Sequence, residues 1–175
     1  LKRVRPYGEN DLGNRLRVMW SGAEYRGRGR NTNWRGRADF RGACINRFER
    51  INRLNQEQRL DQTGSAAVVW SAVTTGNMMG FDTWVDASDD ASLEIATNLG
   101  NLSVPMADIG LEPTVLDAGG LARELRVQRL PSEPLSREIT LRETVDLREI
   151  GDTPIWVCAT FEDGNQAWSS PIYLF

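Results

Sequence analysis

The 175-residue sequence contains no histidine, which limits the chemistry that its other polar side chains can do. Histidine is the commonest general base and the commonest ligand of catalytic metals, so Ser-His-Asp and Cys-His machinery and His-based zinc sites are excluded within this chain. The Gly-x-Ser-x-Gly and Gly-x-Gly-x-x-Gly patterns are absent, and Lys2 is the only lysine, so a Walker loop is excluded too. We therefore expect no catalytic, cofactor-binding or metal-binding residue here.

The two cysteines are Cys44 and Cys158. They are too few for a disulfide-dense scaffold or a Cys-only zinc site. One bridge between them is possible, and two buried free thiols are the interpretation that we favour.

An acidic run, Asp86-Ala87-Ser88-Asp89-Asp90, places three carboxylates within five residues. Carboxylate oxygens are suitable ligands for Ca²⁺, but the spacing is not that of an EF-hand loop, no glycine follows and no glutamate closes the run. We expect an exposed acidic turn.

The six tryptophans are the next candidates for a binding role. Trp20 and Trp70 lie in apolar runs and Trp168 lies on the apolar side of a predicted hairpin, so all three are expected in the core. Trp34 and Trp84 have polar neighbours and are the better candidates for exposure. An exposed pair could stack on sugar rings, which makes a carbohydrate-binding module one alternative.

Arginine and glycine alternate from Arg26 to Arg37, with Trp34 inside the run. Arg28 and Arg30 are candidate contacts for a polyanion, although a nucleic-acid segment is the less favoured interpretation. The run lies between two strand-like segments, and glycine within strands often marks a bulge or a close backbone approach. An irregular hairpin is the favoured interpretation.

Charge is distributed unevenly along the chain. Residues 1–60 hold 15 basic and 6 acidic side chains, residues 61–175 hold 6 and 18, and no basic residue occurs from Asp61 to Ala122. A basic patch for polyanions is one interpretation. Since the two parts nearly cancel, we favour basic strands that lie against acidic ones in one fold.

Short apolar runs separated by turn residues recur along the chain, and no helix-strand alternation is present. This pattern predicts an all-β fold, an antiparallel β-sandwich of the jelly-roll or Ig-like type with about a dozen strands. A polar lead-in over residues 1–14 would precede a single sandwich domain over residues 15–175. The strands expected before the C-terminal hairpin cover residues 15–25, 38–40, 43–51, 66–75, 78–86, 93–97, 102–104, 121–130 and 137–145.

The C-terminal residues predict a β-hairpin with Asp163-Gly164 at its tip. In this register Ala159 faces Trp168 and Ile155 faces Ile172. Alternation would then place one apolar face toward a core. That face comprises Ile155, Val157, Ala159, Phe161, Trp168, Ile172 and Leu174.

No apolar run approaches the ~18 residues that a membrane span needs. No apolar segment typical of a signal peptide lies near Leu1, and the given sequence does not begin with methionine. We expect a processed chain or a fragment of a longer protein. The compartment is left open.

Three segments, Trp20 to Glu24, Thr74 to Asn77 and Asp163 to Tyr173, carry a family resemblance. They resemble the C-terminal β-rich region of large, poorly characterised bacterial proteins whose front part is similar to PHP-type (polymerase and histidinol phosphatase) metal-dependent phosphoesterases. The resemblance covers most of this chain but not the His- and Asp-based metal site, so no catalytic residue carries over. It implies a non-catalytic accessory domain that packs against an upstream hydrolase domain of the same polypeptide or positions its substrate. A carbohydrate-binding module and an arginine-mediated polyanion binder remain the alternatives.

Overall fold

The structure is a computed structural model that describes residues 13–25, 30–51, 58–131, 140, 142–160 and 166–174. The chain divides into two compact units, Leu1–Leu135 and Ser136–Phe175. Most of the predicted lead-in lies outside the described residues. The expectation of one domain over residues 15–175 stays a prediction. Within the described ranges, no helix is long and apolar enough to cross a membrane.

The first unit contains an eight-stranded antiparallel sheet, which confirms the all-β antiparallel class. The strand order is β3-β4-β2-β5-β1-β8-β7, with β6 paired to β5 as well, and a short 3₁₀ helix (Met106–Asp108) follows β6. Its strands are β1 (Arg15–Ala23), β2 (Thr32–Ile51), β3 (Arg59–Thr63), β4 (Ala67–Thr74), β5 (Met79–Thr97), β6 (Gly100–Pro105), β7 (Thr114–Asp117) and β8 (Leu121–Leu130).

Several predicted elements differ from the observed ones. The irregular hairpin over Arg26 to Arg37 is wrong, because β1 pairs with β5 and β8 and not with β2. The strands expected over residues 38–40 and 43–51 are one strand, β2. Two short strands, β3 and β7, were not among the expected strands, and the described residues 142–145 form no strand.

A bulge interrupts the pairing of the long strands β2 and β5. Arg41 pairs with Ser92 and Ala43 with Ala87, so Gly42 alone lies opposite residues 88–91. Gly42 has a φ of 67°, a left-handed conformation that favours glycine. The acidic run therefore lies within β5, and the predicted turn is wrong because the strand absorbs the extra residues as a bulge.

The turn between β3 and β4 supplies hydrogen-bond acceptors to the amides on either side of this bulge. Phe40 N donates to the Ala66 carbonyl at 2.8 Å, and Ile45 N donates to the Ser65 carbonyl at 2.6 Å. These bonds satisfy backbone groups that the interrupted ladder leaves unpaired.

The sheet curves strongly, as contacts between β1 and β4 show. Two strands separate β1 from β4, which in a flat sheet would place them about 14 Å apart. However, Trp20 of β1 stacks on Trp70 of β4 with ring centroids 4.7 Å apart. Thr74 Oγ1 also donates to the Gly22 carbonyl at 2.6 Å. The curvature encloses a core that both strands line.

This core confirms the predicted burial of Trp20 and Trp70. Gly36 of β2 lies opposite Trp70, and a Cβ at this position would lie 2.1 Å from the indole Cζ2. The glycine thus lets the ring cross the backbone, which is the close approach predicted for this run. The largest fully buried side chains are Trp20, Trp34, Phe40, Phe81, Leu16, Met79, Leu93, Ile95, Ile109, Leu125, Leu130 and Val18.

The two differently charged parts of the chain meet in this sheet. Arginine-rich β1 and β2 flank acidic β5, and Arg41 Nε pairs with Glu94 Oε1 at 2.6 Å. Arg15 and Arg17 both pair with Asp82. These contacts are those expected of basic strands that lie against an acidic one.

The second unit contains two antiparallel two-stranded ladders in its described residues. They pair β9 (Thr153–Ile155) with β12 (Ile172–Leu174), and β10 (Cys158–Thr160) with β11 (Gln166–Trp168). Ile155 pairs with Ile172 as predicted. In contrast, Trp168 pairs with Cys158 instead of Ala159, because the chain carries one more residue between β11 and β12 than between β9 and β10.

Candidate functional site

The structure does not expose both predicted sugar-binding tryptophans. Trp34 is fully buried and its Nε1 donates to Thr74 Oγ1 at 3.1 Å, so the expectation of exposure is wrong. The neighbours of Trp34 in sequence are polar, but its own side chain points into the core because strand alternation separates it from them. A buried indole offers no face to a sugar.

Trp84 is half-buried and lies between two arginines on adjacent strands. It pairs with Arg15 of β1 and Arg47 of β2. The two guanidinium carbons lie 5.1 and 4.2 Å from the ring centroid, within the range of cation–π attraction. Trp84 therefore already stacks with groups of its own chain.

A buried charge cluster lies in the neighbouring row of the same face. Arg17 donates to Asp82 through Nε at 2.7 Å and Nη2 at 2.8 Å, and Arg15 Nε donates to the same carboxylate at 3.1 Å. Arg17 is 4% and Asp82 3% exposed. Both faces of β1 are therefore covered.

The predicted polyanion contacts are only partly described. Arg28 lies outside the described residues. Arg30 is exposed, and its guanidinium carbon lies 4.1 Å from the Tyr25 ring centroid. Its role as a ligand contact stays a prediction.

The acidic bulge is exposed, with Asp86, Asp89 and Asp90 all open to solvent. Ser88 Oγ donates to Asp90 Oδ1 at 2.6 Å, and this hydrogen bond lowers the pKa of Asp90 below its usual value. In the described part of the chain, no group of three or more acidic or cysteine side chains is arranged to hold a metal ion.

Cys44 and Cys158 are both free and both exposed, so the expectation of buried thiols is wrong. Cys44 lies between Ala43 and Ile45, whose side chains are buried on the other face of β2. Cys158 pairs directly with Trp168 across the β10–β11 ladder.

One candidate site is a shallow, open surface within the second unit, which we call the aromatic groove. It has a volume of about 450 Å³ and is lined by Pro154, Trp156, Trp168, Ser169, Pro171 and Tyr173. Trp156, Trp168 and Tyr173 are 52%, 60% and 51% exposed. The core position expected for Trp168 is therefore wrong. The three exposed aromatic side chains make this surface a candidate for an interaction.

The register of the two ladders assembles this groove. Tyr173 pairs with Pro154, and Trp168 pairs with Cys158, two positions after Trp156. Strand alternation over these pairs places Trp168 beside Trp156, since the one-residue shift moves Trp168 to the face opposite the predicted one. The signal in the sequence was the clustering of proline and aromatic residues between Pro154 and Tyr173.

Ser169 stabilises the segment between the ladders. Val157 N donates to Ser169 Oγ at 2.9 Å, and Ser169 N donates to the Val157 carbonyl at 2.9 Å. Pro171 has no N–H to contribute to a ladder. The segment from Ser169 to Pro171 therefore separates the two ladders. Trp168 precedes this segment and Tyr173 follows it.

Comparison with protein-family models, curated proteins and solved structures finds no match for this chain.

Proposed function

We propose that this chain is a non-catalytic accessory domain of a larger bacterial protein with a metal-dependent hydrolase domain, and that it acts by binding. The observation that carries the binding role is the aromatic groove. Three large aromatic side chains remain half exposed there, although each could bury a large apolar area. A surface of this kind favours a ligand or a partner over bulk water.

We also propose that the main sheet closes into an antiparallel sandwich. The long strands β2 and β5 would contribute their halves to different layers, with the bulge at Gly42 as the corner. One layer would contain β3, β4 and β6, and the other β1, β7 and β8. The stacking of Trp20 on Trp70 supports this arrangement, because the two rings come from strands of different layers.

The accessory role rests on the resemblance of three segments to the β-rich tail of hydrolase-like proteins. An upstream domain of the same polypeptide is the proposed partner. The absence of histidine from the sequence is consistent with a tail that lacks the metal site.

Hydrolysis of a small chromogenic phosphoester tests this proposal. We expect no turnover by the 175-residue chain with Mg²⁺, Mn²⁺ or Zn²⁺, and metal-dependent turnover by the native polypeptide that contains it. In that polypeptide, Trp156→Ala with Trp168→Ala should leave turnover of the small substrate unchanged, since the groove would lie apart from the metal site.

Turnover by the chain alone, proportional to its concentration and lost on a single substitution, would overturn the non-catalytic role. A native polypeptide without a metallohydrolase domain would overturn the accessory role.

A further inference from the structure

We propose that the aromatic groove binds an extended proline-rich peptide that carries basic residues. This inference rests on the proposed binding role and adds the chemical class of the partner. Three features support it: the rings that line the groove, the scarcity of polar side chains among its described lining residues, and the net negative charge of residues 136–175.

The lining residues suit a polyproline II helix. Such a helix has three residues per turn, no internal hydrogen bonds and a rigid, apolar surface of proline rings. Grooves lined by aromatic side chains bind it because the proline rings pack between flat rings at little entropic cost. Trp156, Trp168 and Tyr173 provide such rings, and their indole N–H and hydroxyl groups can donate to peptide carbonyls.

A sugar fits this lining less well. Specific sugar binding needs several polar side chains that hydrogen-bond to ring hydroxyls. Among the described residues, no charged or amide side chain lines the groove. Ser169 Oγ already accepts from Val157 N and donates to the Ser170 carbonyl at 3.1 Å. The groove thus offers mainly apolar surface.

The net negative charge of the second unit favours a basic partner. Residues 136–175 contain 7 acidic and 3 basic side chains. Asp146, Glu149 and Asp152 are exposed, and Asp152 lies two positions before Pro154 of the groove. Complementary charge would speed association and fix the orientation of a peptide with flanking arginines.

Binding of labelled peptides to the full chain tests this proposal by fluorescence anisotropy. We expect an arginine-flanked polyproline peptide to bind at least about tenfold more tightly than a glutamate-flanked one, a difference of about 1.4 kcal/mol. Added salt should reduce this advantage. An arginine peptide without proline should not bind measurably.

The variants Trp168→Ala and Trp156→Ala should each weaken peptide binding by at least about tenfold, since aromatic anchors dominate such sites. Val157→Ala is the matched control, because Val157 is exposed in the same unit but does not line the groove. It should leave the affinity unchanged.

Alkylation of Cys158 provides a second measurement that needs no tryptophan substitution. Cys158 is exposed and pairs with Trp168, so bound peptide should slow its reaction several-fold. Cys44, in the other unit, is exposed too and serves as the internal reference.

Two results would overturn the proposal. Saturable binding of neutral oligosaccharides, lost in Trp168→Ala and without any binding of the proline peptide, would make the groove a glycan site and leave the proposed binding role intact. No binding of the proline peptide and no protection of Cys158 would exclude the peptide. Failure of the non-catalytic role is detected separately, by phosphoester turnover.

Discussion

Asp82 accepts hydrogen bonds from Arg15 and Arg17 in a part of the sheet that is closed to water. Removing the carboxylate of a buried ion pair is destabilising, because the buried guanidinium groups lose a counter-charge and its hydrogen bonds. We expect Asp82→Asn to lower the free energy of unfolding by about 3–5 kcal/mol. Urea denaturation followed by far-UV circular dichroism measures this loss.

Asp61 offers the matched control for Asp82. Its carboxylate accepts from Arg59 Nε at 2.8 Å, but both side chains are exposed on the edge strand β3. Asp61→Asn should change stability by no more than about 1 kcal/mol, as for most surface ion pairs. A similar, small effect of both substitutions would show that the Asp82 cluster contributes little.

The sequence predicts individual core residues well where only packing is involved. Trp20 and Trp70 were identified from their apolar runs and are buried. The sequence pattern fails at Arg17 and Trp168 for different reasons. Polar residues of a strand are expected to face water. Arg17 is buried because its counter-ion, Asp82, lies on a neighbouring strand although it is 65 positions later in the sequence. Trp168 was misplaced because one residue in the register decides its face.

At the scale of elements, the packing of β2 on β4 depends on Gly36. A Cβ at this position would lie 2.1 Å from Trp70 Cζ2, so the indole would have to leave its position against Trp20. Overpacking of this kind typically costs about 1–3 kcal/mol. We therefore expect Gly36→Ala to lower the free energy of unfolding by this amount and to weaken the near-UV circular dichroism of the Trp pair.

Gly110→Ala is the control, because no atom outside its chain neighbours lies within 4 Å of a Cβ added there. It should change stability by less than about 0.5 kcal/mol, as for most substitutions that disturb no packing. If Gly36→Ala proved equally harmless, Trp70 would not depend on the open backbone of β2.

Individual strands could be predicted where one strand-like run of the sequence corresponds to one strand of the sheet. The expected strand over residues 121–130 coincides with β8. The acidic run of β5 was predicted as a turn because its polar residues are evident in the local sequence. Its neighbouring pairing with β2 is not. Strand β2 pairs with β5 both before and after this run, so β5 continues as one strand with a bulge.

At the scale of the whole molecule, the all-β antiparallel class could be predicted from short apolar runs and turn residues. The strand order could not. Consecutive strands β4 and β5 both pair with β2 and not with each other, and β1 lies between β5 and β8. These are long-range pairings that no local pattern specifies. The groove was missed for a similar reason, since proline and aromatic residues come together only once the two short ladders are in register.

The two units differ in how much they bury, which predicts different local stabilities. The strands β1, β4 and β5 carry many fully buried side chains, whereas in the described part of the second unit Thr153 alone is buried. Its ladders are three residues long. Amide exchange follows local opening, and short exposed ladders open at far lower free energy than a packed sheet.

Hydrogen–deuterium exchange with mass spectrometry measures this difference. We expect peptides that cover β9 to β12 to exchange at least about a hundredfold faster than peptides of β1 and β4, which corresponds to about 2.7 kcal/mol. A bound proline-rich peptide should slow exchange in β9 to β12 alone, because a ligand of the folded state adds its binding free energy to local opening. Equal amide protection of all strands without ligand would contradict this prediction. The second unit would then be as stable as the main sheet, and the groove would be preformed.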